Sequence, residues 1–286
     1  RNRRITIKYK KNTGDKVLLV VKVVLMALLI FMVLFPLLWL LVNSFKVEKE
    51  IIGFPPTFFG TTYTMKSFER IFRTIPMGSY IKNTVIFAVG TTFLAVLFDS
   101  MAGYAFARLK FKGKNIIFIF VLLTMMVPFQ VMMIPLFLES NALGLLDTYA
   151  GLILPKATSA FGIFMMRSYF AALPKDLEEA ARVDGMNEAG IFVKIMLPLI
   201  KPGVLTLTIF YLMQNWNDLL YPLMMTSSTK MRTLSAGLAL FVGEHATTYY
   251  GPQLAGALLS VLPLLVVYIF FQKYFIASAA TSGMKD

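Results

Sequence analysis

The chain has 286 residues, 57% of them apolar, a mean hydropathy of +0.70, and 28 basic against 15 acidic side chains, for a net charge of +13. A soluble domain of this length needs a polar surface that this composition cannot supply, so the reading is a polytopic helical membrane protein. Cysteine is absent and His245 is the single histidine, which excludes disulfide frameworks, thiolate zinc sites and histidine metal clusters and leaves His245 as an ordinary loop residue.

The chain opens on a basic arm over residues 1–16, with Arg1, Arg3, Arg4, Lys8, Lys10, Lys11 and Lys16. It reads as a topology anchor, with contact to anionic lipid as the alternative. A first apolar span covers roughly Val17 to Val42. It is too long for a cleavable signal and no small-residue cleavage site follows, so it reads as retained. The segment from Asn43 to Tyr80 mixes Lys46, Lys49, Lys66, Arg70 and Arg73 with Glu48, Glu50 and Glu69. The second span runs from about Ile81 to Phe106 and the third from about Ile116 to Leu138, joined by a short connection holding Arg108, Lys110, Lys112 and Lys114. The next connection, "ESNALGLLD", carries no basic residue. A fourth span covers about Tyr149 to Phe170, a fifth Leu197 to Leu220 and a sixth Leu254 to Phe271. Each holds about 20 residues, enough to cross a hydrocarbon core. The basic residues sit at the ends of these spans, with no aromatic-interleaved basic surface, so they report topology and not nucleic-acid binding. They put the N-terminus, the second and fourth connections and the C-terminus in the cytoplasm. Pro36, Pro128, Pro135, Pro155 and Pro263 lie within spans, where neighbours must satisfy the freed carbonyls.

Between the fourth and fifth spans the chain turns polar: "EEAARVDGMNEAGIFVKIMLP", Glu178 to Pro198. Asp176, with Glu179 three residues on, spells a capping box. Glu178 and Glu179 suit the positive end of a helix, Ala180 and Ala181 form a small-residue face, Gly185 offers a stop, and Asn187 can cap a second helix. Two short helices outside the bilayer, over about 175–196, are expected. The stretch resembles the cytoplasmic coupling motif of ABC importer permeases: Glu179-Ala180-Ala181, three residues, Gly185, nine residues, then Ile195, Met196, Leu197 and Pro198. "AGYAFARLKFKGK", "LGLLDTYAGLILP" and "NWNDLLYPL" are similar to further segments of the carbohydrate-uptake branch, in particular the smaller six-span subunit of maltose-type importers. The C-terminal "FIASAATSGMKD" is only partly similar, with Ser278 where the family usually has glycine.

The resemblance implies an all-α membrane protein of six transmembrane helices, a type I ABC importer transmembrane domain over residues 17–276 with a tail over 277–286. It implies a multi-pass subunit in a bacterial plasma membrane, with no catalysis and no cofactor of its own. ATP and magnesium belong to two partner ATPase subunits; the pattern G-x-x-x-x-G-K-[ST] does not occur in the sequence. A second, homologous permease and an extracytoplasmic solute-binding protein complete the expected assembly, the latter meeting the loop from Met224 to Pro252. The coupling residues carried over are Glu178, Glu179, Ala180, Ala181, Asp184, Gly185, Ile195, Leu197 and Pro198.

Polar residues inside spans are candidates for a solute pathway. Tyr211, Gln214, Asn215, Asn217 and Asp218 lie beside Trp216 in the fifth span, Gln130 sits between Pro128 and Pro135, and Asp99 carries a charge within the second. Amides beside aromatic faces suit sugars, and bonding between helices explains them as well. Asp99 either lines a water-filled cavity or pairs with a neighbour. Lys22 and Lys156, near span ends, are expected to snorkel. The leading reading is a saccharide. A polyol, a glycerol phosphate or an acidic oligosaccharide is the alternative cargo, and an ion-driven secondary transporter the alternative class.

Overall fold

A computed structural model describes residues 13–245 and 249–282, with side chains left out at 13, 15, 243–245 and 271–282. The basic arm up to position 12, part of the "HATTYYG" stretch and the last four residues of the tail therefore lie outside the described residues. Regular structure among the described residues is helical, with one isolated bridge, Lys46 to Tyr63. It forms two compact units: residues up to Glu69 with 249–258, and 70–248 with 259 onward.

The first unit begins with α1 (Thr13–Ser44), whose apolar side chains are exposed along most of its length. Its outward face is a surface for lipid or protein. Pro36 is accommodated inside it. In the segment that follows, with α2 (Glu48–Ile51) and the start of α3 (Lys66–Thr74), Lys46, Glu48 and Glu50 make internal contacts. Lys46 is fully buried. Its Nζ donates to the Thr57 carbonyl at 2.5 Å and lies 5.6 Å from the Trp39 ring centre. Glu50 accepts from the amides of Thr61 and Thr62 and the hydroxyl of Thr61. Glu48 accepts from the amides of Tyr250 and Gly251, at 2.6 and 2.9 Å. A carboxylate thus caps the first turn of the chain's last helix, where the dipole favours negative charge.

The second unit is organised on α4 (Met77–Arg108), a helix of 32 residues without proline. The third span, drawn as one helix in the sequence, is two: α5 (Lys114–Thr124) and α6 (Phe129–Ala142), bent by 100°. Pro128 cannot donate to the ladder across that break. The fourth is α7 (Tyr149–Ile153) with a 3-10 turn (Leu154–Lys156), then α8 (Ala160–Ala171), bent by 47°. Two short helices follow, α9 (Asp176–Val183) and α10 (Glu188–Ile191), as the polar stretch predicts. A π-helical turn (Phe192–Met196) and α11 (Leu197–Leu199) lead into α12 (Lys201–Trp216) with an 80° bend, so the fifth span as drawn from Leu197 is broken before Lys201. Beyond it come α13 (Leu220–Met225) and α14 (Leu234–His245). The region expected as a loop from Met224 is therefore partly helix, and His245 ends that helix. The last helix, α15 (Tyr250–Ser282), is longer than the drawn sixth span and runs into the expected tail.

Close approach of α4 to α8 depends on small residues. A Cβ at Gly103 would lie 2.6 Å from Met166 Cβ and 2.8 Å from the Arg167 amide nitrogen. At the other end Asn83 donates to the carbonyls of Lys230 and Arg232, and Thr84 accepts from the Leu234 amide, fixing the start of α14. Gly103→Leu should drive α4 from α8 and cost about 1–3 kcal/mol, read as a lower melting temperature of the detergent-purified protein. A melting temperature equal to wild type would contradict this packing.

Candidate functional site

Two places in the second unit carry the chemistry: the α9–α10 turn and a polar cavity along α12.

The local sequence explains most of the turn. The carbonyl of Lys175 accepts from both Glu178 and Glu179 amides, so the helix starts one residue earlier than a cap at Asp176 requires. Lys175 holds the cap position without a side-chain bond, and Asp176 lies inside the first turn. The capping box is therefore not formed, although Asp176, Glu178 and Glu179 still face the positive helix end. At the other end Gly185 is left-handed, φ +80°. Its amide donates to the Arg182 carbonyl and that of Met186 to the Ala181 carbonyl, a Schellman stop. Asn187 Oδ1 accepts from the Gly190 amide at 2.8 Å and caps α10 as expected.

Consecutive helical residues point about 100° apart, and the two alanines divide accordingly. Ala181 is buried in a core with Tyr104, Phe170, Ile191 and Met196, while Ala180 faces out. Glu178, 3% exposed, also turns inward. Ile195 and Leu197 pack against the same core. The outward surface is Glu179, Ala180, Val183, Asp184, Gly185 and Pro198, and Val183 is 87% exposed. The expected coupling residues therefore form two groups, one facing out and one facing in.

The inward group meets residues that sequence reasoning used only for topology or passed over. Arg108 Nε is 3.6 Å from Glu178 Oε1, with both side chains almost fully buried. An Arg108 Nη2 also donates to the Leu173 carbonyl. Tyr104 donates to Glu188 Oε2 at 3.0 Å, and Arg182 Nε to Glu188 Oε1 at 2.8 Å. That Arg182 bond holds the Glu188 carboxyl below the usual carboxylate range. Tyr104 and Arg108 are four apart on α4 and so share a face, a signal the sequence does contain.

The cavity, about 590 Å³, lies where the break of the fourth span and the end of α12 meet α4 and α6. Tyr211, Gln214, Asn215, Asn217 and Asp218 line it, all expected. Thr91, Lys156, Thr158, Ser159 and Tyr221 join them. Thr91 Oγ1 is buried without a partner among the described residues. Lys156 does not snorkel: its Nζ bonds Asp218 Oδ2 at 2.5 Å and sits 5.4 and 5.2 Å from the ring centres of Phe87 and Tyr221. Gln130 is exposed on α6 and does not line the cavity. Asp99 does not line it either. It is fully buried and accepts from Thr158 Oγ1 at 2.6 Å, the Ser159 amide at 3.0 Å and Tyr211 at 2.5 Å. Of the two sequence alternatives, pairing with neighbours is the one observed. A second hollow of about 400 Å³ between α4 and α12, with Val89, Phe93, Val204 and Leu212, is almost wholly apolar and offers a sugar few partners.

The family of binding-protein-dependent transport system inner membrane components matches the chain over residues 99–279. The chain is 38% identical over 262 residues to the arabinooligosaccharides transport system permease protein AraQ of Halalkalibacterium halodurans, covering 91% of this chain and 94% of that one. It is 32% identical over 274 residues to the trehalose/maltose transport system permease protein MalG of Thermococcus litoralis, at 94% and 97% coverage. Among solved structures, a chain of a bacterial ABC transporter involved in the import of the acidic polysaccharide alginate superposes with a TM-score of 0.80. It is 25% identical, over 92% of this chain and 98% of that one.

Two substitutions separate scaffold from lining. Tyr211→Phe takes a donor from the buried Asp99 carboxylate and should cost about 1–3 kcal/mol. Gln214, which faces the cavity with no protein hydrogen bond among the described residues, should tolerate Leu with an unchanged melting temperature. Equal losses in both variants would mean that Gln214 is scaffold.

Proposed function

We propose, because the chain belongs to the family of binding-protein-dependent transport system inner membrane components, that it forms half of a saccharide pathway and is driven by a separate ATPase docked on the α9–α10 turn. As a permease of an ABC importer it is a multi-pass membrane transport protein and not an enzyme. The observation that carries the saccharide reading is the cavity itself. Gln214 and Asn217 present amides, and Phe129 adds aromatic surface. Sugar hydroxyls need donors and acceptors, and pyranose faces need apolar contact. The names of AraQ and MalG support the same class of cargo.

Coupling is proposed for the outward surface of the turn. An exposed valine flanked by Glu179 and Asp184 at the end of a rigid Schellman stop suits a groove on a partner protein. In this reading a second permease completes the pathway, two ATPase subunits bind ATP and magnesium, and a solute-binding protein delivers the sugar from outside. N- and C-termini are cytoplasmic in this arrangement, where the basic arm and the turn belong together. A second cargo, an acidic oligosaccharide, is favoured by the likeness to the alginate importer. It would require Lys156 to exchange Asp218 for a solute carboxylate.

The test is purification from the native membrane with a tag on this chain. An ATPase and a second permease should accompany it. Glu179→Lys reverses charge on the docking surface, and Gly185→Arg forces a side chain into a left-handed conformation. Each should reduce ATPase recovery by about tenfold or more, equivalent to ~1.4 kcal/mol, while the chain stays inserted. Full ATPase recovery with both variants would remove the turn from the coupling scheme.

A further inference from the structure

The turn is attached to the rest of the second unit in a particular way. Among the described residues, every polar side-chain contact from α9 and α10 to another long helix goes to α4: Glu178 with Arg108, and Glu188 with Tyr104. The remaining polar contacts of α9 and α10, Arg182 with Glu188 and the Asn187 cap, are internal to the turn. The rings of Tyr104 and Phe192, 5.3 Å apart, add apolar contact at the same end of α4.

The helices of the second unit differ in what they can transmit. The third, fourth and fifth spans are broken by 100°, 47° and 80°. A broken helix absorbs a push at its break. α4 has no break and no proline. From Arg108 to Thr91 it runs for about 25 Å at 1.5 Å per residue, and Thr91 and Ala95 at the far end are cavity wall. α4 therefore joins the turn to the cavity without a break.

The pair at its inner end is not closed. Arg108 Nε and Glu178 Oε1 are buried, 3.6 Å apart, and neither atom has a hydrogen bond. A buried ion pair in that state adds little stability, because its desolvation is not offset by bonding. It does oppose separation strongly, since opening it leaves two buried charges unpaired. We propose that Arg108 and Tyr104 are positioning residues that lock the α9–α10 turn to α4, so that the two move as one body and carry ATPase motion to the cavity wall. This deepens the coupling reading above and rests on it.

The chain has no cysteine, so spin labels at Ala189→Cys, on α10 away from the docking surface, and Val89→Cys, both exposed positions, report turn-to-α4 distance in the complex assembled with cysteine-free partners. In the otherwise wild-type chain that distance should be the same without nucleotide and with a non-hydrolysable ATP analogue. Tyr104→Phe and Glu178→Gln should each keep the ATPase bound yet let the distance shift by about 2 Å or more when the analogue is added. Exchange of the pair, Arg108→Glu with Glu178→Arg, should return it to constancy. The proposal is overturned if the wild-type distance itself moves with nucleotide, if either single variant stays as constant as wild type, or if Glu178→Gln sheds the ATPase. Should Glu178→Gln fail to insert in the membrane, Tyr104→Phe decides alone. A wild-type chain that recovers no ATPase would instead refute the coupling reading.

Discussion

A single buried carboxylate makes the centre of the second unit workable. Where water is absent, each backbone amide and carbonyl needs an internal partner, so a break in a membrane helix is tolerated only where something takes its loose ends. Asp99 does this for the fourth span: it accepts from Thr158 and the Ser159 amide, at the start of α8, and from Tyr211 on α12. Gly162 leaves the space, since a Cβ there would run into Asp99 and Tyr211. Three spans are pinned at one point. The break they pin supplies Lys156, Thr158 and Ser159 to the cavity, so the polar hollow exists because the irregular backbone beside it is satisfied.

The same economy governs the charges. Lys156 and Asp218 neutralise one another at 2.5 Å against aromatic faces, which puts ionised groups on the cavity wall without a net charge. Arg108 and Glu178 do so at the end of α4. Lys46 goes to a carbonyl and Glu50 to a loop. What looks in composition like a strongly basic chain is, among the described residues, several local solutions to burial, beside the exposed lysines at span ends.

Legibility in the sequence followed the range of the interaction. Apolar runs of membrane length revealed the spans, because that signal is summed over many residues. The Gly185 stop and the Asn187 cap were readable, since each is settled within a few residues. The breaks were not: Pro36 and Pro263 sit inside continuous helices, whereas Pro128 and Pro155 mark interruptions, and only the neighbours distinguish them. The capping box failed by one residue, because the Lys175 carbonyl had already started the ladder. In the cavity, Gln214 and Asn217 were found by their polarity. Lys156 was misjudged because its partner lies 62 residues away. The inward turn of Glu178 was hidden by a motif whose spacing does not say which face meets a partner.

Glu48 sets an order of events for biogenesis. Its carboxylate caps Tyr250, 202 residues further along the chain. At about 5–20 residues per second of synthesis, roughly 10–40 seconds pass between the making of that cap and of the amides it receives. During that interval the segment after α1 holds its acceptor hydrated and its own shape incomplete. The piece made among the first is finished among the last, and arrival of the final helix closes it.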